Sequence, residues 1–182
     1  EGLFTDTEAA TEFFWKRIHQ PGHKVIYHGR SLGGLTAARA AAHREPDGLI
    51  LEATFPDKRT LLRYYPLLLR FLGWFSRYKL STVSFLKGVK CPVLVIHGDR
   101  DRIVPYPVGQ ELFHTLPATQ KELLTLPGVD HDDQATTGRD RYWPCISRFV
   151  DRLRHTAKSE ADEQRDRTNQ GRLVNGTSAS DE

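Results

Sequence analysis

The 182-residue sequence contains no methionine, only two cysteines, and no charge surplus large enough to define a partner. Cys91 and Cys145 lie outside any C-x-x-C pattern, which excludes a disulfide-built scaffold and a multi-cysteine zinc module. Reduced thiols favour a cytoplasmic location. The 26 basic and 23 acidic residues leave a net charge of +3, which is too small and too dispersed to indicate nucleic-acid binding.

The chain begins at Glu1 rather than at a methionine. Because an open reading frame starts with methionine, we expect a processed product or part of a longer polypeptide. No basic stretch followed by an apolar run lies near the first residue, so the sequence shows no signal peptide. It also contains no uninterrupted apolar run of the roughly 20 residues that a membrane-spanning helix needs.

Hydrophobic residues make up 38% of the sequence, which is enough for a folded core. Four short runs are apolar nearly throughout, as in strands of a parallel sheet that is covered on both faces. They lie at residues 24–28, 48–52, 92–97 and 122–126. Helical patterns surround them at about residues 6–20, 32–43, 107–116 and 139–155. Strands that alternate with helices predict an α/β fold.

Residues 60–75 form a segment rich in leucine and aromatic residues, interrupted by Arg63 and Arg70. Three roles stay open for it: packing on the core, capping an apolar pocket, or contact with a membrane surface. With its flanks, over residues 56–88, the segment is expected to serve as a cap or to pack on the core.

The composition changes sharply near the C-terminal end. Residues 158–182 are charged and polar, with Leu173 and Val174 as their only large apolar side chains. Such a segment cannot bury enough surface to offset the entropy of ordering. We therefore predict one partial domain over residues 1–157, followed by a disordered tail.

The first strand and the second helix are joined by the pattern Gly-x-Ser-x-Gly, at Gly29, Ser31 and Gly33. In this context the serine occupies a sharp turn that exposes its hydroxyl, and the glycines remove side chains that would collide there. The N–H of Leu32, at a helix N-terminus, would then face a developing oxyanion. The alternative is a glycine-rich turn with an incidental serine.

Two polar loops follow the third and fourth predicted strands. Asp101 comes just after the third strand, at the edge where open α/β sheets bind ligands, and His131 follows the fourth. A carboxylate there could accept the imidazole N–H and stabilise the imidazolium. The alternatives are a polar turn at Asp101 and a solvated histidine. A metal site of His131 with Asp130, Asp132 and Asp133 is a further alternative, although consecutive side chains rarely converge on one ion.

The chain order Ser31, Asp101, His131 is that of the α/β-hydrolases. Around these residues the sequence resembles the serine branch of that superfamily, near the compact prolyl-oligopeptidase-like and depalmitoylase-like hydrolases, over about residues 1–155. The resemblance implies an α/β-hydrolase fold with Ser31 as nucleophile, Asp101 as acid and His131 as base, without a metal or organic cofactor. Asp99 is then a turn residue. The resemblance to the α/β-hydrolases rests on residues 29–34, 49–55, 92–101, 104–105 and 127–131.

The resemblance also implies parts that the sequence does not contain. The family's sheet has about eight strands, and a loop ahead of the serine strand normally donates a second oxyanion N–H. No H-G-G-type stretch precedes Ser31. We therefore expect the C-terminal part of a hydrolase domain that lacks the N-terminal strands and leaves one sheet edge uncovered.

Three functions follow as expectations. The first is a serine hydrolase that cleaves an ester, thioester or amide in a small-molecule or acyl-bearing substrate, through an acyl-enzyme on Ser31. The second is a catalytically silent, truncated hydrolase that serves as a binding or interaction module. The third is a lipid-acting hydrolase peripheral to a membrane, motivated by the apolar residues 67–75.

Overall fold

The computed structural model describes residues 2–66 and 80–155. Residues 2–66 and 80–146 belong to one compact unit, and residues 147–155 to a second. The helices are α1 (Gly2–Arg17), α2 (Leu32–His43), α3 (Lys58–Leu62), α4 (Thr82–Phe85) and α5 (Tyr106–Thr115), with a 3-10 turn at Leu86–Gly88 and helical backbone at residues 139–155. The strands are β1 (Ile26–Arg30), β2 (Gly48–Glu52), β3 (Val93–Gly98) and β4 (Lys121–Leu126).

The four strands form one parallel sheet in the order β1-β2-β3-β4, which confirms the predicted α/β fold. Each strand pairs with the next in sequence, so every connection crosses over the sheet. The central strands β2 and β3 are buried along their whole length, as expected for strands covered on both faces. Within the described residues, β1 is paired on one side only.

Helix α2 packs against one face of the sheet through its alanines. Ala38 and Ala41 contact a core that includes Leu49, Leu51 and Val95. The small side chains let the helix lie close to the strands. Cys91 and Cys145, both within the described ranges, are buried and are not joined in a disulfide.

Helix α1 begins earlier than the predicted start at Asp6 and ends at Arg17. Tertiary packing explains the difference, since the Phe4 ring contacts the Phe85 ring edge-on at a centroid distance of 5.4 Å. This contact holds the first turn in helical form ahead of Asp6. Strand β1 is likewise two residues later than predicted, because its pairing with β2 starts at Ile26.

The segment at residues 56–88 is described only in part, because residues 67–79 lie outside the described ranges. Its C-terminal end packs on the core: Leu86 is buried, and Val83 and Phe85 lie against the same cluster. The pocket-capping and membrane alternatives concern undescribed residues, as does the predicted tail at residues 158–182. None of the helices in the described ranges is long and apolar enough to cross a membrane.

Candidate active site

Ser31 lies at the junction of β1 and α2 with an unusual backbone conformation, φ 53° and ψ −123°. A non-glycine residue in such a region costs on the order of 1–3 kcal/mol and persists only where its surroundings hold it. Here the Ser31 N–H donates to the Glu52 carbonyl at 2.9 Å. The Ser31 carbonyl accepts from the Gly34 N–H at 3.0 Å and from the Thr54 hydroxyl at 2.7 Å. The strained turn is therefore bonded on both sides of the residue.

The two glycines of the motif, for which the same steric role was predicted, differ in their surroundings. A Cβ at Gly29 would lie 2.2 Å from the Gly33 carbonyl oxygen, so Gly29 is sterically required. A Cβ at Gly33 would meet nothing within 4 Å beyond its own helical turn, so the prediction for Gly33 is not supported by the packing. The second close approach is at Gly34, where a Cβ would lie 2.5 Å from Thr54 Oγ1.

His131 and Asp101 are joined by a hydrogen bond of 2.8 Å between Nδ1 and Oδ2. Their side chains are 8% and 0% exposed. The second carboxylate oxygen, Oδ1, accepts the N–H groups of Ile103 and Val104 at 2.9 and 2.7 Å. An ionised carboxylate only accepts, so Nδ1 carries the hydrogen and the neutral ring keeps Nε2 as a base.

The electrostatic surroundings of Asp101 favour its charged form. Burial opposes ionisation, but hydrogen bonds from His97, His131 and the Val104 N–H outweigh it and hold the pKa of Asp101 below its ordinary value. Hydrogen bonds to the charged form lower a carboxyl pKa in this way. The carboxylate is therefore available to stabilise a cationic imidazole.

His97 is part of this arrangement, although its position in an apolar run predicts only a strand residue. Its Nε2 lies 2.7 Å from the Val104 carbonyl oxygen and 3.4 Å from Asp101 Oδ2. Because a carbonyl only accepts, Nε2 carries the hydrogen. A Cβ at Gly109 would lie 2.2 Å from His97 Nδ1, so this glycine of α5 makes room for the ring. The signal in the sequence that could have indicated this role is a histidine inside an otherwise apolar strand.

An ion pair links the serine turn to the histidine loop. Arg30, which precedes Ser31, lies 3.0 Å from Asp132, which follows His131, measured between Nη1 and Oδ1. The two loops are therefore neighbours at the carboxyl edge of the sheet. Ser31 and His131 both lie within the described ranges, and no hydrogen bond joins the Ser31 hydroxyl to His131.

The acidic residues beside His131 point to separate partners. Asp130 accepts from the Arg102 backbone N–H at 3.0 Å and from Arg102 Nε at 2.6 Å. The N–H groups of Arg102 and His131 lower the pKa of Asp130 to about 2. In residues 2–66 and 80–155, no three His, Cys, Asp or Glu side chains are gathered as metal ligands. The metal alternative therefore lacks a converging set of donors.

A second buried polar cluster lies beside the serine turn and was missed from sequence. The Glu52 carboxylate is 2.7 Å from both His28 Nε2 and the Tyr142 hydroxyl. Burial opposes its ionisation, but these two hydrogen bonds outweigh it and lower the pKa of Glu52. Burial and the Glu52 carboxylate raise the pKa of Tyr142. The cluster holds the end of β2, whose last carbonyl accepts the Ser31 N–H.

A strained serine turn after a parallel strand, with a histidine–aspartate pair at the same sheet edge, is the arrangement of the α/β-hydrolases. Comparison with known proteins agrees with this assignment to the α/β-hydrolases. A family model described as the prolyl oligopeptidase family matches residues 1–144, and the chain belongs to this family of hydrolases. The predicted superfamily is thereby confirmed. The individual roles of Ser31, Asp101 and His131 stay predictions.

Two relatives and one solved structure illustrate the similarity. The chain is 31% identical over 158 residues to an uncharacterized membrane protein of Saccharomyces cerevisiae, across 82% of this chain and 54% of the yeast protein. It is 29% identical over 128 residues to a lysophosphatidylserine lipase of Rattus norvegicus, across 59% of this chain and 31% of the lipase. A Pyrococcus furiosus esterase has the same fold, with a TM-score of 0.65 at 17% identity, across 82% of this chain and 61% of the esterase. The chain thus spans about half the length of the yeast relative.

Proposed function

We propose that this chain carries the reacting groups of a serine hydrolase that cleaves an ester, thioester or amide bond in an acyl-bearing substrate. Ser31 is the nucleophile, His131 the general base and Asp101 the carboxylate that orients the base. The observation that carries the proposal is the buried hydrogen bond of 2.8 Å between His131 Nδ1 and Asp101 Oδ2. It leaves Nε2 as the proton acceptor of the pair.

The reaction proceeds in two halves. The Ser31 hydroxyl attacks the substrate carbonyl carbon while His131 Nε2 takes its proton, and Asp101 stabilises the imidazolium. The tetrahedral intermediate collapses to an acyl-enzyme as His131 returns the proton to the departing alcohol, thiol or amine. A water molecule then gives its proton to His131, attacks the acyl carbon and releases the acid, and Ser31 recovers its hydrogen.

Leu32 supplies an oxyanion donor in this scheme. Its N–H is the first amide of α2, where the helix dipole favours negative charge. In α/β-hydrolases a second N–H comes from another loop, and a site with one donor fewer loses about 2.7–4 kcal/mol of transition-state stabilisation.

The surroundings support an apolar acyl group. Leu32, next to Ser31, is 49% exposed, and Ile103, two residues after Asp101, is 54% exposed. Exposed aliphatic side chains beside the reacting groups favour contact with an acyl chain. The names of the lipase and esterase relatives agree with this substrate class.

A fluorophosphonate probe tests the proposal, because it phosphonylates serine only where a base activates the hydroxyl. We expect the purified chain to be labelled, Ser31→Ala to abolish labelling, and Ser84→Ala to leave it unchanged. Ser84 is a suitable control because its hydroxyl donates to the carbonyl of Ser81, the residue that precedes α4. Labelling that is absent, or that survives Ser31→Ala, would contradict the proposal.

A catalytically silent module is the second candidate, favoured by the absence, within the described ranges, of a hydrogen bond between the Ser31 hydroxyl and His131. It predicts no turnover of any ester. Hydrolysis of a p-nitrophenyl ester that is lost in Ser31→Ala would eliminate this candidate.

A further inference from the structure

The side chain of Thr54 lies directly against the serine turn. It is 0% exposed, and its Oγ1 donates to the Ser31 carbonyl at 2.7 Å. The missing side chain of Gly34 provides its space, since a Cβ there would lie 2.5 to 2.7 Å from the Thr54 Oγ1, Cβ and Cγ2 atoms. The hydroxyl of Thr54 is therefore confined between the end of β2 and the first turn of α2.

The Ser31 carbonyl belongs to the same peptide unit as the N–H of Leu32. A trans peptide is planar, so its C=O and N–H point in opposite directions within one rigid plane. Any hydrogen bond that orients the Ser31 carbonyl also orients the Leu32 N–H. A bond donated to the carbonyl polarises the unit as well, which strengthens its N–H as a donor.

Three other features act on the same turn, but they are backbone features. The Gly34 N–H donates to the Ser31 carbonyl, and the Ser31 N–H donates to the Glu52 carbonyl. Ala53, with φ 46°, bends the chain between Glu52 and Thr54, the two residues that form hydrogen bonds with Ser31. Thr54 contributes the side-chain hydrogen bond, so its part can be removed by one substitution without altering the main chain.

We propose that Thr54 is a positioning residue for the oxyanion donor. Its hydroxyl holds the Ser31–Leu32 peptide in the plane that directs the Leu32 N–H at the developing oxyanion. The catalytic consequence rests on the proposed function, whereas the orientation of the peptide is a property of the folded chain and can be measured separately.

A matched pair of variants isolates the hydroxyl. Thr54→Val keeps the shape of the side chain and removes the donor, whereas Thr54→Ser keeps the donor. Thr11→Val controls for loss of a buried threonine hydroxyl elsewhere, since Thr11 Oγ1 donates to the Thr7 carbonyl at 2.8 Å in α1. Melting temperatures of all variants report the cost to folding.

The kinetic readout separates positioning from a purely structural role. An oxyanion donor acts in the transition state, so Thr54→Val should lower kcat and leave KM unchanged. We expect a fall of about tenfold, below the roughly 10²–10³-fold loss that follows removal of a donor. Thr54→Ser should restore kcat. An unchanged kcat in Thr54→Val, or a loss that Thr54→Ser does not restore, would overturn the proposal.

A spectroscopic readout does not depend on turnover. Ser31–Leu32 is the only Ser-Leu dipeptide in the sequence, so carbonyl-¹³C serine and ¹⁵N leucine, incorporated by cell-free synthesis, give a single carbonyl–nitrogen correlation. Loss of the hydrogen bond should move both nuclei upfield in Thr54→Val, while Thr54→Ser and Thr11→Val stay at the wild-type position. An unmoved signal in Thr54→Val would refute the proposal even in an inactive chain. Absent turnover with the expected shift would instead refute the proposed function alone.

Discussion

The imidazole of His131 donates from Nδ1 to the Asp101 carboxylate across 2.8 Å, although the two residues are 30 positions apart. Each follows the end of a strand, β3 or β4, and these strands pair in parallel up to Gly98 and Leu126. Parallel pairing brings the carboxyl ends of neighbouring strands to one edge of the sheet. The sheet, rather than local sequence, therefore assembles the pair.

The charge of Asp101 can be removed with little change in shape. Asp101→Asn should slow fluorophosphonate labelling by on the order of 10⁴-fold, because an amide favours the wrong imidazole tautomer. Asp99→Asn is the matched control, since the Asp99 carboxylate accepts the Gly128 N–H at 2.6 Å in the neighbouring turn. Equal labelling rates for the two variants would argue against the role of Asp101.

Protonation of Asp101 in acid should lower the free energy of unfolding. Its pKa is lowered in the folded chain because hydrogen bonds from His97, His131 and Val104 outweigh burial, against an unfolded value of about 3.9. The unfolded chain therefore takes up the proton first as pH falls. The stabilisation is complete above about pH 4 and is lost as pH drops through the folded-state pKa. Urea unfolding from pH 6 to pH 2.5 should show this loss in wild type and less of it in Asp101→Asn; parallel curves would contradict it.

The Glu52 cluster should stabilise the fold. Tyr142→Phe removes one of the two side-chain donors to this buried carboxylate, and hydrogen bonds to charged groups contribute about 1.5–3 kcal/mol. Tyr106→Phe removes a neutral bond of 2.6 Å to Thr125, which contributes about 0.5–1.5 kcal/mol. The free energy of unfolding, measured with urea, should fall more for Tyr142→Phe. A smaller loss there would contradict the assigned role of Glu52.

The two motif glycines should respond oppositely to alanine. Gly29→Ala places a Cβ 2.2 Å from the Gly33 carbonyl oxygen, an overpacking that costs about 1–3 kcal/mol or more. Gly33→Ala meets nothing within 4 Å beyond its own turn, and alanine is favoured over glycine inside a helix by about 0.5–1 kcal/mol. Thermal unfolding should show a lower melting temperature only for Gly29→Ala. Similar melting temperatures would show that the turn is looser than described.

Elements with strong local signals could be predicted closely. Helix α2 and strand β2 begin and end where predicted, because a strand-to-helix serine motif and an alanine-rich stretch mark the helix and an apolar run marks the strand. Strand β1 could not be placed to the residue, since its limits depend on pairing with β2. The start of α1 depends on packing between Phe4 and Phe85, which are distant in sequence.

The same distinction applies to the site. Ser31, Asp101 and His131 could be proposed from sequence because each lies in a recognisable loop after an apolar strand. His97, Glu52 and the hydroxyl donor behind the serine turn could not, because their partners come from other strands and loops. Which strands become neighbours is decided by the assembled sheet.

The proposed hydrolase depends on Ser31 as its activated nucleophile. After reaction with a fluorophosphonate, trypsin cleaves at Arg30 and Arg39 and releases a peptide of residues 31–39 in which Ser31 is the only serine. Mass spectrometry should locate one phosphonyl group on this peptide at Ser31. The adduct should be absent after denaturation of the chain before labelling, and slow to form in Asp101→Asn. A native chain that stays unmodified, or that carries the adduct at another residue, would contradict the account.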